Sequence, residues 1–348
     1  MARESIIPVF VPHLGCPNNC VFCNQHRISG AQEPATPDTV RAAIEKSKTF
    51  LPTDTPKQLA FYGGSFTAIP AFQQEALLAV GKGYLDSGYL TAVRLSTRPD
   101  AIDAAVLDRL HRYGVETVEL GAQSLDDEVL RRSGRGHSAE TVITASRALK
   151  ASGFKLILQM MTGLPGDGGE ASVKTAKEII ALRPDGVRIY PTVIIKDTAL
   201  YDLWLAGKYC EHTVEDAVDV CSRLVPMFEE AGIPIIRLGL NPTDDLSGGT
   251  AAGGAYHPAL GELVKSRVML NRVVEILSSM DIPSGCSIEI LVHPSKISQM
   301  TGQHRCNIAA LKKRFLTENI KITGSPGCDD ISVRITSGLT VDCFGGKL

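Results

Sequence analysis

No stretch of this chain approaches the roughly 18 consecutive apolar residues of a membrane-spanning helix. The opening residues, Met-Ala-Arg-Glu-Ser-Ile-Ile-Pro, lack the long apolar segment of a secretory signal. Charge of one sign is also missing: 36 Lys plus Arg stand against 38 Asp plus Glu, a net charge of -2. That balance excludes a global basic field for nucleic acid but leaves room for a local patch. No low-complexity tract and no repeat beyond a β-α unit divides the 348 residues. At 44% hydrophobic and 21% charged, the chain is too apolar to be disordered and long enough to bury a sizeable core. These absences predict a cytoplasmic protein with no membrane contact.

Strand-like and helix-like segments alternate through the first 240 residues. Short runs rich in Val, Ile and Leu predict strands at 6–14, 58–63, 92–97, 117–121, 155–161, 186–190 and 235–240. Amphipathic patterns predict helices at 37–50, 71–85, 101–113, 139–152, 170–182 and 214–231. Such an order means a parallel sheet with right-handed helical crossovers. The repeats are too few for an eight-fold barrel, so the expected fold is α/β, a partial (β/α)6-type barrel. The rhythm breaks at 241–256, where Gly248-Gly249 and Gly253-Gly254 read as a long loop or lid. A helix at 258–279 and a strand, helix, strand, strand series to the end predict a small α+β C-terminal domain. The expected division is a core at 1–245, then the lid and small domain at 246–348.

Nine cysteines are more than packing needs. Six are scattered (Cys210, Cys221, Cys286, Cys306, Cys328 and Cys343), and three crowd into one loop as Cys16, Cys20 and Cys23. A secreted disulfide framework would spread its pairs. The C-x3-C-x2-C spacing instead suits metal ligation. A [4Fe–4S] cluster ordinarily takes four thiolates, so three leave one iron open for a small chelating ligand. A zinc loop with a distant fourth ligand is the alternative, although the second C-x2-C of a zinc ribbon is absent. Cys306, Cys328 and Cys343 share the tail and read either as buried thiols or as ligands of a second cluster.

The trio, with Phe22 as the aromatic before the third cysteine, resembles the radical S-adenosylmethionine (SAM) superfamily. Phe61-Tyr-Gly-Gly-Ser-Phe-Thr67, Ser96-Thr-Arg-Pro-Asp100, Val118-Glu-Leu-Gly-Ala-Gln-Ser-Leu-Asp-Asp127, Arg135-Gly-His137 and Val187-Arg-Ile-Tyr-Pro-Thr192 are similar to the Elongator catalytic subunit family and its bacterial relatives. Oxygen-independent coproporphyrinogen III oxidase is a more distant likeness. The resemblance implies a [4Fe–4S] cluster held by Cys16, Cys20 and Cys23. It implies SAM contacts from Phe22, Gly63, Gly64, Ser65, Ser96, Gln123, Arg135 and Gln159, with Arg135 pairing the SAM carboxylate. Ser96 and Gln159 stand where relatives carry acidic ribose-binding residues. Tyr190 and Lys196 fall on the expected substrate side or serve packing and solvation. The implied chemistry is reductive cleavage of SAM to methionine and a 5′-deoxyadenosyl radical, with electrons from a flavodoxin- or ferredoxin-type protein. No acetyltransferase segment follows the radical core, so only the radical half of Elongator-like chemistry is expected.

The tail carries a second resemblance. A strand, a helix, a glycine turn, another helix and a strand are similar to a KH-type RNA-binding module, which clamps backbone in a G-x-x-G loop. Here the second glycine is replaced by Arg305, and His304, Arg305, Lys312, Lys313 and Arg314 form a basic patch within 295–314. The resulting expectation is a radical SAM enzyme modifying RNA, a tRNA above all. A small-molecule oxidoreductase and a non-catalytic SAM- and RNA-binding protein are the alternatives.

Overall fold

The computed structural model describes residues 4–11, 16, 20–24, 35–240, 246–283, 285–317, 319–328, 330–337 and 340–345, with backbone alone at 246–247, 337 and 340–345. The chain divides into two compact units, Met1–Ala217 with Met227–Pro258, and Val218–Pro226 with Ala259–Leu348.

In the first unit, strands β1 (Ser5–Val11), β2 (Lys57–Gly63), β3 (Ala92–Thr97), β4 (Val115–Gln123), β5 (Lys155–Thr162), β6 (Gly186–Pro191) and β8 (Ile235–Leu238) form one parallel sheet in that order. The helices between them are α1 (Pro37–Ser47), α2 (Ala71–Asp86), α3 (Ala104–Arg112), α4 (Asp127–Arg132), α5 (Ala139–Ala151), α6 (Glu170–Leu182), α7 (Ala199–Leu205) and α8 (Val214–Glu230). The sheet curls without closing, so the partial barrel read from the repeats is the fold observed. Residues 12–14 of the expected first strand lie outside the described residues.

Side-chain alternation explains why this sheet has two unlike faces. Val93, Leu95, Val118, Leu120, Leu156, Leu158, Val187 and Ile189 are fully buried. Each such side chain stabilises the fold by about 2 kcal/mol. Between them, at period two, stand Arg94, Ser96, Glu119, Gln159 and Arg188. A parallel sheet covered on both faces reads as a continuous apolar run. This one lines a polar interior.

Caps fix the helix starts. Asp103 accepts from the Val106 amide, so α3 begins at Ala104 and not at 101, where a 3-10 turn (Pro99–Ala101) precedes it. Thr36 with Thr39 and Thr213 with Asp216 form capping boxes on α1 and α8.

The glycine-rich stretch read as a lid is partly a strand. Residues 241–245 lie outside the described residues, but β9 (Ala251–Gly254) pairs antiparallel with the short β7 (Val193–Ile195). Gly254 has φ +82, and a Cβ there would come within 2.7 Å of the Thr192 carbonyl. Glycine here serves close strand approach, not loop freedom. The break between units accordingly falls after Pro258, beyond the expected 245.

The second unit holds α9 (Leu260–Ser278), β10 (Ser287–Val292), α10 (Ile297–Thr301), α11 (Cys306–Phe315), β11 (Asn319–Gly324), β12 (Ser332–Ser337) and β13 (Thr340–Gly345). Its sheet order is β11-β10-β12-β13, with β11 parallel and β12 antiparallel to β10. Val273 and Leu277 of α9 pack with Ile288, Ile290, Met300, Leu311 and Val333 in its core. Gly302 (φ +77) separates α10 from α11, so the tail holds two helices about a glycine turn and not one helix between its first two strands. Among the described residues, no helix is long and apolar enough to cross a membrane.

Candidate functional site

The cysteine loop is anchored to the first unit from two sides. Cys23 N–H donates to the Cys20 carbonyl (3.0 Å), closing a turn. Val21 N–H donates to the Ser133 carbonyl beyond α4 (3.1 Å), and Leu200 N–H of α7 donates to the Val21 carbonyl (2.7 Å). Val21 and Phe22 pack against a cluster of Ile194, Leu200 and Tyr209. Phe22 therefore seats the loop on the segment after β6. Cys16, Cys20 and Cys23 are half-buried, and none is in a disulfide.

The other expected site residues gather at the C-terminal ends of the strands, where parallel folds build active sites. Gly63 ends β2 at φ +105, and a Cβ there would crowd Val11 backbone at 3.3 Å. Ser65 is buried, and its hydroxyl lies 2.9 Å from Thr97 Oγ1 while accepting from the Arg98 amide (3.1 Å). Its side chain thus joins 63–67 to 96–100, while its backbone amide reaches the Cys16 thiol. Ser96 donates weakly to the Phe61 carbonyl (3.4 Å). Gln159 donates to Gln123 Oε1 (3.2 Å), and Gln123 sits at φ +66 beyond a bulge in β4. A Cβ at Gly121 would meet Gln123 Nε2 at 2.9 Å, so a larger residue there would shift the Gln123 amide. Gly64 is half-buried in the turn after β2.

Two arginines surround the cysteines. Arg135 donates through Nη1 to Cys20 Sγ (3.2 Å), through Nη2 to the Gly121 carbonyl (2.6 Å) and through Nε to His137 Nε2 (3.3 Å). Burial, then the Arg135 charge, pushes His137 down to about 4, so its ring is neutral at neutral pH and can accept that bond. Arg98 is buried, forks onto both Asp100 oxygens (2.9 and 3.0 Å) and donates to the Arg135 carbonyl (2.6 Å). The pair latches the segments after β2, β3 and β4 around one point. Arg98 and Asp100 stand in the Ser96–Asp100 motif, where nothing in the spacing marks their role.

The donor set suits a cluster. Burial and the neighbouring Cys20 raise the Cys16 thiol, while Arg98 and Arg135 oppose that rise. Thiolates held near one another in this way are relieved by bound cations. Among the described residues no three His, Cys, Asp or Glu side chains converge on a single ion. The same holds for the tail, where Cys306 is exposed, Cys286 is buried and the Cys343 side chain lies outside the described residues.

Below the strand ends, a polar belt crosses the barrel interior. Glu119 Oε1 lies 2.7 Å from Arg94 Nη2, accepts from the Tyr62 hydroxyl (3.0 Å) and from Arg188 Nη2 (3.2 Å). Arg188 Nε lies 2.7 Å from Glu119 Oε2, at ion-pair distance but without hydrogen-bond alignment. Gln58 accepts from Arg94 (3.3 Å), and the Tyr190 hydroxyl accepts from Arg188 Nη1 (3.3 Å). Tyr190 therefore faces this belt, whereas Lys196 is exposed. Burial and Glu119 push the Tyr62 phenol well above its ordinary range, so it stays a proton donor.

Residues 10–179 match the radical SAM superfamily, and residues 184–269 match the radical SAM C-terminal domain. The chain is similar to human Elongator complex protein 3, 27% identical over 297 residues that cover 74% of this chain and 53% of that protein. It is also similar to tRNA uridine(34) acetyltransferase of Methanocaldococcus infernus, 38% identical over 38% of this chain and 25% of that one. Its fold matches the archaeal Elp3 of M. infernus with a TM-score of 0.60 at 26% identity, covering 80% of this chain and 64% of that one. The chain thus spans from a quarter to about half of those two curated relatives. Cysteine loop, strand-end motifs and curled parallel sheet agree with these matches: the chain belongs to the radical SAM superfamily and resembles its Elongator-type members.

Proposed function

We propose that this chain is a radical SAM enzyme whose Cys16, Cys20 and Cys23 hold a [4Fe–4S] cluster with SAM beside it. A cluster bound there supplies one electron, from a flavodoxin- or ferredoxin-type donor, that cleaves SAM to methionine and a 5′-deoxyadenosyl radical able to take a substrate hydrogen. The chain's own residues hold and shield that chemistry. Arg98 and Arg135 keep positive charge beside the thiols, and Gly63, Gly64 and Gly121 let backbone come close to a ligand. Gln123, Gln159 and Ser96 offer hydrogen bonds to ribose hydroxyls. The observation that carries this reading is the contact of Arg135 with Cys20, which joins the cysteine loop to the strand-end residues. Anaerobic reconstitution with SAM and reductant, followed by chromatography for 5′-deoxyadenosine, tests it; no product above the iron-free control would overturn it.

Arg135 has a second role in this reading, turning its fork from Gly121 toward the SAM carboxylate. A charge-assisted bidentate contact contributes roughly 1.5–3 kcal/mol. Arg135→Ala is therefore expected to weaken SAM binding about tenfold or more while iron content stays near that of the parent. Equilibrium binding of SAM to the reconstituted variant checks this, and unchanged affinity would confine Arg135 to the loop.

The substrate we place in the RNA class, a tRNA first, and the enzyme in the cytoplasm. Support comes from the tRNA-acting relative and from the second unit. There His304 (φ +52) and Arg305 (φ +62) occupy the left-handed region in the turn after Gly302. Each such non-glycine residue costs about 1 kcal/mol. Arg305 is exposed in this turn, and Lys313 and Arg314 are exposed in the last turn of α11, which follows it. Replacing Lys312, Lys313 and Arg314 with alanine should weaken tRNA binding and flatten its salt dependence, because fewer counterions are released. Filter binding across a salt series measures the slope, and a slope equal to the parent's would move the substrate to the small-molecule class.

A further inference from the structure

The inner wall of the barrel carries more positive charge than its own residues neutralise. Arg188 of β6 and Arg237 of β8 are register partners on adjacent parallel strands, so the two side chains leave the sheet from neighbouring positions on one face. Arg94 of β3 faces the same belt through Glu119. Against these three cations, Glu119 is the only carboxylate among the described residues that ion-pairs with any of them. Glu4, at the foot of β1, is exposed and accepts from the Gln58 amide (2.8 Å).

The donors are also under-used. Arg94 Nε is buried with no acceptor. Both terminal nitrogens of Arg188 make long bonds, of 3.2–3.3 Å, to Glu119, Tyr62 and Tyr190. Among the described residues, the half-buried Arg237 meets only the Gly239 carbonyl at its own strand end (3.1 Å). Like charges opposed on neighbouring strands destabilise a sheet unless something lies between them. The guanidinium forks and the Tyr190 hydroxyl can all donate, and an oxygen-rich anion would give them acceptors.

We propose that Arg188 and Arg237, with the Tyr190 hydroxyl, form a binding site for an oxyanion of the substrate, a carboxylate or a phosphate, on the inner wall of the reaction chamber. The belt lies level with two of the expected SAM contacts, since Arg188 is the register partner of Gln159 and Glu119 that of Ser96. An anion held there fixes one end of a substrate whose other end points toward the strand ends. The chamber role rests on the function proposed above, but the anion site stands on the arginines alone.

The test uses the reconstituted full-length protein without SAM, so that it depends on neither SAM cleavage nor turnover. Thermal melting is followed as sodium acetate or inorganic phosphate is added, with sodium chloride at matched ionic strength as reference. The expected result is a saturable rise in melting temperature with one or both oxyanions and not with chloride. Acetate alone would mark a carboxylate site, and phosphate alone a phosphate site. Arg237→Gln should raise the half-saturating concentration about tenfold or more. Arg237→Lys, which keeps charge but not the fork, should fall between. Among the described residues Arg237 bonds only within its own strand end, so these variants are expected to fold; Arg188→Gln gives a second probe of the same site. A parent that responds equally to chloride, or an Arg237→Gln protein that titrates like the parent, would overturn the proposal.

Discussion

Changing Cys16, Cys20 or Cys23 to alanine should abolish the brown iron–sulfur chromophore of the reconstituted protein, whereas Cys210→Ala and Cys306→Ala should retain it. The parent is expected to carry about four irons, each in-loop thiolate holding one and the fourth left open. Two remaining thiolates cannot hold such a cluster, so the effect is close to all-or-none. Cys210 and Cys306 are exposed and stand apart from the loop in sequence. The variants should still fold, because the loop is seated by Val21 and Phe22 and not by its sulfurs. Iron analysis, with circular dichroism as the folding control, decides the matter. Full iron in the Cys20→Ala protein would overturn the ligand assignment.

Much of this architecture was legible because parallel strands flanked by amphipathic helices leave two periods in one sequence. The strand at 92–97 and the helix at 170–182 were read to the residue, since apolar runs with clear caps or Gly and Pro punctuation mark both ends. β7 and β9 were not read: strands of three and four residues are too short to show alternation, and glycines at 253–254 look like loop. At the site, the cysteine spacing and strand-end motifs pointed to the right surface, but not to what each side chain touches. Ser65 spends its hydroxyl on Thr97 and Arg98, and Phe22 on apolar packing. The interior belt was missed altogether. Its signal was present as Arg94, Glu119 and Arg188, each set between apolar neighbours in a strand otherwise read as core. An ionised residue almost never lies there unpaired, so three such positions on three strands announce one another.

Glu119→Ala should be the most destabilising single change in that belt. The carboxylate meets Arg94, Arg188 and Tyr62 at once, and it is 3% exposed. Removing it leaves two guanidinium groups inside the barrel with no counter-charge. Breaking a buried ion pair from one side destabilises by about 3–5 kcal/mol, a large part of a domain's net stability. Glu119→Gln tests the source of the loss: it keeps an acceptor for Tyr62 and nearly the same volume, yet removes the charge. If charge is the cause, both variants should fall well below the parent in urea or thermal melts. If shape is the cause, only Glu119→Ala should fall. Arg112→Ala, which breaks an exposed pair with Glu75, is the control and should cost under about 1 kcal/mol. The belt draws on side chains from β2, β3 and β4 on one side of β5 in the sheet order and from β6 on the other. It therefore ties the two halves of an open barrel across its interior, where backbone pairing between neighbouring strands cannot reach. Parent-like stability in both Glu119 variants would mean that the sheet holds its curl without the belt, and that the arginines are kept there for a ligand rather than for the fold.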